Sequence, residues 1–123
     1  MAMTLNGTTG IVLPTAAAPA FSAYQSSAQT LSSNTATKLT FTSTDFDTTS
    51  GMYASSRFTP TIGGYYQVNS AMAWPTTGTR GFLNIYKNGS AFKQGTNMSI
   101  CDATIISALV YLNGSTDYFE IYG

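Results

Sequence analysis

The sequence predicts an all-β sandwich or jelly roll, and three observations carry the prediction. Residues 65–74 alternate with period two, placing Tyr66, Val68, Ser70, Met72 and Trp74 on one face and Tyr65, Gln67, Asn69, Ala71 and Ala73 on the other. Short apolar runs recur at even spacing between turn signals; Asn88-Gly89 is the strongest of these because both residues tolerate positive φ. The longest apolar run, residues 102–112, is rich in β-branched and aromatic residues, which suit a buried strand better than a helix.

Taken in order, residues 1–20 hold a short apolar run and then a Pro/Ala-rich stretch, in which Pro14 and Pro19 bias the backbone toward extension. They read as a short extended N-terminal arm or tether to a domain over residues 21–123. Residues 21–27 read as a first strand, and residues 28–35 as a polar, turn-rich connection. Residues 37–42 alternate again, with Leu39 and Phe41 on one face. Residues 44–56 read as an irregular polar loop carrying Asp45 and Asp47. Pro60, Gly63 and Gly64 then mark a reversal before the organising strand. After a turn at 75–78, residues 81–87 form a strand with Leu83 and Ile85 on one face and Phe82 and Tyr86 on the other. The return strand starts at 90–93, and residues 94–101 read as a loop. Residues 113–116 turn, and 118–122 make a last strand with Phe119 and Ile121 inward and Glu120 outward.

Composition limits the function classes. The 123 residues suit one domain with a single core. Only 8% are charged, against about 25% in ordinary soluble domains, and the net charge is zero. Such a surface suits a protein working inside an assembly, or one meeting sugars without electrostatic steering. No basic patch points to nucleic acid, and every apolar run is too short to span a membrane. The N-terminus lacks the pattern of a signal peptide, so synthesis and folding in a host cytoplasm are expected. The single cysteine, Cys101, excludes an intrachain disulfide and reads as a small buried hydrophobe.

Residues 20–123 resemble the complement component 1q-like, tumour-necrosis-factor-like jelly roll, in the version carried by phage and bacterial surface proteins. The resemblance rests on Phe21-Ser-Ala-Tyr24 as the opening strand, and on Phe41, Asp47, Tyr53, Phe58, Gly64 and Tyr66 as the spaced aromatic, Asn/Asp and Gly-x-Tyr signature. Asn84 to Gly89 is similar to the family's strand and hairpin, and residues 109–121 to its penultimate strand pair. The chain departs from the pattern in the spacing from Asp47 to Phe58. It also ends at Gly123, where the family continues through one more strand inside a sheet. The resemblance therefore implies an unpaired edge or gap, filled by the N-terminal arm or by a neighbouring chain. It also implies a homotrimer about an apolar axis, with Phe58, Tyr66, Val68 and Met72 assigned to that axis or to the core.

Little in the residues suggests catalysis. The chain has no histidine, so the common general base is missing. Asp45 and Asp47 share a parity; such a pair serves calcium or, in principle, glycoside hydrolysis, and as loop residues they also suit Asx-turns. No other cofactor is expected. Trp74, followed by Arg80, could stack on a sugar, while its parity with Tyr66 and Met72 points to the core or axis. The expectation is a non-enzymatic phage virion protein: a trimer on the virion surface, decorating the capsid or forming a short fibre, and held to other virion proteins through residues 1–20. The alternative is a receptor- or glycan-binding tip of a tail fibre, recognising a host surface glycan. A glycan hydrolase built on Asp45 and Asp47 is a third class.

Overall fold

The computed structural model describes residues 4–6, 10–12, 18–49, 51–74, 80–99 and 103–123. Those residues form an all-β, jelly-roll-like set of antiparallel sheets. The calls on Cys101 and on the 75–78 turn lie outside them.

Period-two patterning gives the two longest strands, β7 (Gly64–Ala73) and β12 (Ala103–Leu112), preceded and separated by the shorter ones. They pair antiparallel over their full length, from Ala103 opposite Ala73 to Leu112 opposite Gly64. Opposite this pair lies a five-stranded sheet. Its strands are β5 (Tyr53–Ala54), β6 (Arg57–Phe58), β9 (Asn84–Lys87), β10 (Ser90–Gln94) and β13 (Phe119–Tyr122), in the order β10-β9-β13-β6-β5. The core forms between the two layers: Phe58, Ile85, Phe119 and Ile121 from the sheet meet Val68, Ile106, Val110 and Leu112, with Leu83 and Leu39 closing it. Two smaller pairs flank these layers. One joins β3 (Phe21–Tyr24) to β4 (Ser43–Asp47), the other β8 (Arg80–Gly81) to β11 (Met98–Ser99).

The turn chemistry explains the connections. Asn88 and Gly89 both have positive φ, at 52° and 79°, and reverse the chain between β9 and β10. The Asn113 carboxamide oxygen accepts from the amides of Ser115, Thr116 and Asp117, which folds the β12–β13 loop on itself. Asp117 then takes hydrogen bonds from the Asn88 side chain and the Asn113 amide, and an ion pair from Lys87, fastening the two turns together.

Several expectations need correction. Residues 44–56 are not an irregular loop, because β4 and β5 lie within that stretch. Residues 37–42 are not a strand beyond a single bridge from Lys38 to Tyr122. The Thr37 and Leu39 amides donate to the carbonyls of Gly123 and Ile121, but the pairing stops there: Thr40 donates to Gln29 Oε1 and Phe41 to Ser56 Oγ. Leu39 is nonetheless buried. The 81–87 strand is broken at Phe82-Leu83, and Met98–Ser99 pairs within the stretch expected as loop. Of the apolar run expected as a buried strand, residues 103–112 are buried on one face only, since Ile105, Leu109 and Tyr111 are exposed. Glu120 points away from the core as expected but is only 3% exposed. At the N-terminus, β1 (Thr4–Asn6) pairs antiparallel with β2 (Gly10–Val12).

Candidate functional site

Three surfaces stand out, and each is built by strand periodicity. The first is the outer face of the β7–β12 pair. Alternation that sends Val68, Ile106 and Val110 inward sends Tyr65, Ile105, Leu109 and Tyr111 outward, at 75%, 62%, 59% and 48% exposure. The register sets Tyr65 directly opposite Tyr111, with ring centroids 5.2 Å apart and edge on. Gln67, Asn69 and Ser107 tie the middle of the face through mutual side-chain hydrogen bonds of 2.8 to 3.1 Å. Neither strand contains a charged residue. By ordinary side-chain areas the four apolar residues expose on the order of 400 Å², comparable with the largest apolar patch on a typical monomer.

The second surface is a cleft of about 1160 Å³ running between β3 and β7. Its floor is the edge of the core, where aromatic rings continue from one layer to the next. Phe21 stacks on Tyr53 at 4.2 Å; Phe58 contacts Phe21, Tyr66 and Phe119 at 5.1 to 5.4 Å. Among the described residues, β7 pairs only with β12 and β3 only with β4, so both walls are strand edges without a ladder partner.

The third surface is the outer face of the five-stranded sheet. Glu120 sits at its centre, with Oε1 taking Lys38 Nζ at 2.7 Å and Arg57 Nε at 2.8 Å. Burial pushes the carboxyl pKa up, but the hydrogen bonds from Lys38 and Arg57 outweigh it and hold the group below its ordinary value. Tyr86 and Tyr122 stack beside it at 3.9 Å, and the Arg57 guanidinium lies 4.0 Å over the Tyr118 ring. Burial raises the Tyr122 hydroxyl pKa, and the neighbouring Glu120 adds to the shift. The ion pairs and ring contacts together fix strand β13 in place.

The residues singled out from sequence are distributed over these layers. Phe58 and Val68 are in the core, while Tyr66 and Met72 pack against it and border the cleft. None of the four lies on the outer face of β7–β12. Trp74 is half-buried: its indole N–H donates to the buried Thr104 hydroxyl at 3.1 Å, and Gly81 lies so close that a Cβ there would overlap the ring. Arg80 is exposed and donates to Asn97 Oδ1 at 3.1 Å. Asp45 and Asp47 are both on β4 and exposed. Asp45 accepts from the Ser22 hydroxyl at 2.8 Å, and Asp47 from the Thr49 amide at 2.7 Å. Among the described residues no group of three or more Asp, Glu, Cys or His stands together as a metal site.

Sequence reading missed the Glu120 cluster, whose cations come from 82 and 63 residues away. The alternating glutamate between Phe119 and Ile121 was its one local signal. It also missed the outer patch, although Ile105, Leu109 and Tyr111 share one parity.

Comparison with protein-family models, curated proteins and solved structures gives no match for this chain.

Proposed function

We propose that this chain is a non-enzymatic structural protein that works as a homo-oligomer, with the outer face of β7–β12 turned toward its copies. The exposed apolar face bearing Tyr65, Ile105, Leu109 and Tyr111, on two strands without a charged residue, is the observation that carries this reading. Covering it removes apolar surface at about 25 cal/mol per Å², or roughly 10 kcal/mol per copy before the cost of association. Three copies about an axis is the stoichiometry that the sequence resemblance implies. Within that reading the protein decorates a phage capsid or forms a short fibre, held to other virion proteins through residues 1–20. The absence of histidine and the commitment of Asp45 and Asp47 to local hydrogen bonds support a role without catalysis.

The test is the solution mass of the full chain beside that of Leu109→Arg, which places an unpaired charge at the centre of the face. The reading expects a trimer that dissociates in the variant while the far-ultraviolet spectrum is kept. A second reading, a glycan-binding tip, is favoured by the Tyr86–Tyr122 stack on the opposite sheet. It expects Tyr86→Ala to abolish binding on a glycan array.

A further inference from the structure

We infer that the cavity beside Lys38 and Arg57, at the edge of the five-stranded sheet, is a subsite for the carboxylate of an acidic sugar. The inference rests on the glycan-binding reading above and names the ligand class for that face; it does not depend on the outer face of β7–β12.

Strand register builds the site. Phe58 pairs with Phe119, so the outward-facing Arg57 and Glu120 stand side by side. Glu120 also lies opposite Tyr86, and Arg57 opposite Ala54, so one row of side chains crosses the sheet. Lys38 joins this row through its bridge to Tyr122 and its ion pair with Glu120. At the Arg57 end opens a cavity of about 430 Å³, inside the range of roughly 300–1,000 Å³ that small-molecule sites occupy. Lys38, Arg57, Ser55 and Thr59 give it a polar lining, and Met52 and Ala54 an apolar one. The chain has five basic residues, and two of them converge here, while none of the described lining residues is acidic.

Charge and geometry select the ligand. Lys38 and Arg57 set two positive charges against the one carboxylate of Glu120, which leaves one positive charge uncompensated. A carboxylate, with a single negative charge, balances it better than a phosphate monoester, which carries about −1.5 to −2 near pH 7. Glu120 engages only Nε of Arg57, and the Nη groups have no acceptor among the described residues. The Arg57 side chain is 45% exposed, so its planar N–H fork is open to a carboxylate. The turn between β5 and β6 adds a second observation. Ser55 and Ser56 both have positive φ, at 51° and 58°, where glycine or asparagine is the usual choice. Ser56 is accounted for by its hydroxyl, which accepts the Phe41 amide at 2.8 Å. Ser55 has no such bond among the described residues and lines the cavity, so a hydroxyl presented to a ligand accounts for it.

The rest of the face suits a sugar. Tyr86 and Tyr122 are half-buried on the same side as Glu120 and stack together. Arg57 and Tyr86 are two strand spacings apart, about 10 Å, so an oligosaccharide anchored by its carboxylate extends over Glu120 to the tyrosine pair. A peptide fits less well: β5 is the edge of this sheet and has only two residues, too few for strand addition.

The experiment places the full chain on an array of neutral, carboxylated, sulfated and phosphorylated glycans, each carboxylated glycan paired with its carboxyl-reduced form. The inference expects binding to carboxylated glycans that falls at least about tenfold on carboxyl reduction, the scale of one charge-assisted hydrogen bond. Ser55→Asp adds a negative charge at the cavity, leaves the Glu120 ion pairs in place, and suits the positive φ. It is expected to keep the far-ultraviolet spectrum and to weaken the same glycans to a similar extent. Arg57→Lys keeps a cation beside Glu120 but removes the fork, and is expected to weaken them too. Equal binding of carboxylated and carboxyl-reduced forms, or binding unchanged in Ser55→Asp, overturns the carboxylate subsite; if Tyr86→Ala still abolishes that binding, the glycan-binding reading stands without it. Binding confined to sulfated or phosphorylated glycans overturns the inference in favour of another anion. Binding to no glycan overturns the inference and the glycan-binding reading together.

Discussion

Replacing Glu120 by Gln tests whether a buried carboxylate organises the five-stranded sheet. In the wild type its Oε1 receives charged hydrogen bonds from Lys38 and Arg57 at 2.7 and 2.8 Å, and the side chain is 3% exposed. Charge-assisted hydrogen bonds contribute about 1.5–3 kcal/mol each. Lys38 and Arg57 are partly exposed and recover some hydration when the carboxylate is lost, so the net cost is set at about 2 kcal/mol. For a chain of this length that corresponds to a fall in Tm of roughly 6–10 °C. The pH dependence follows from the direction of the shift. Glu120 titrates lower in the folded chain than in the unfolded chain, so its contribution is complete above the ordinary glutamate value of about 4.3 and disappears as pH falls through the lower folded value. Thermal unfolding of both proteins followed by circular dichroism should therefore show the full gap at pH 7 and a gap that narrows as the pH falls below the ordinary glutamate value. Equal Tm values at pH 7, or a gap that stays constant as the solution is acidified, would refute the assignment of charge to this carboxylate.

Two further predictions concern the turns and the strand ends. Gly114 has φ of 75°, and a Cβ there would overlap the backbone at Ile62 and Gly63; Gly114→Ala should lower the urea-unfolding free energy by about 2–3 kcal/mol, and an unchanged midpoint contradicts the packing of these loops. Trp74→Phe removes the donor to Thr104 Oγ1, which is 1% exposed, and should cost about 1–2 kcal/mol in the same assay without altering the mass of the oligomer.

Strand content and the inward face of β7 were legible because one physical rule, alternation at a half-buried sheet, governs both sequence and burial there. The Asn88-Gly89 reversal was legible for a similarly local reason, the positive φ that those residues accept. What escaped depended on partners distant in sequence. Residues 37–42 have the pattern of a strand and begin to pair with residues 121–123, yet from Thr40 onward the carboxamide of Gln29 and the hydroxyl of Ser56 take the hydrogen-bonding positions a neighbouring strand would fill. Residues 43–47 look like loop, yet they pair with β3 across a register shift. Glu120 looks solvent-facing from its alternation alone, and becomes buried only when Lys38 and Arg57 converge on it. The apolar run in β12 has the composition of a buried strand. Hydrophobicity alone cannot separate a face covered by this chain from one left for another, and Ile105, Leu109 and Tyr111 belong to the second kind.

If the outer face of β7–β12 joins copies of the chain, multi-angle light scattering of the full chain across a hundredfold range of concentration will register it. The predicted result is a constant mass of three times the 13.0 kDa of one chain, falling to one copy in Leu109→Arg. A wild-type monomer at every concentration, or a Leu109→Arg variant that keeps the full mass, would contradict it.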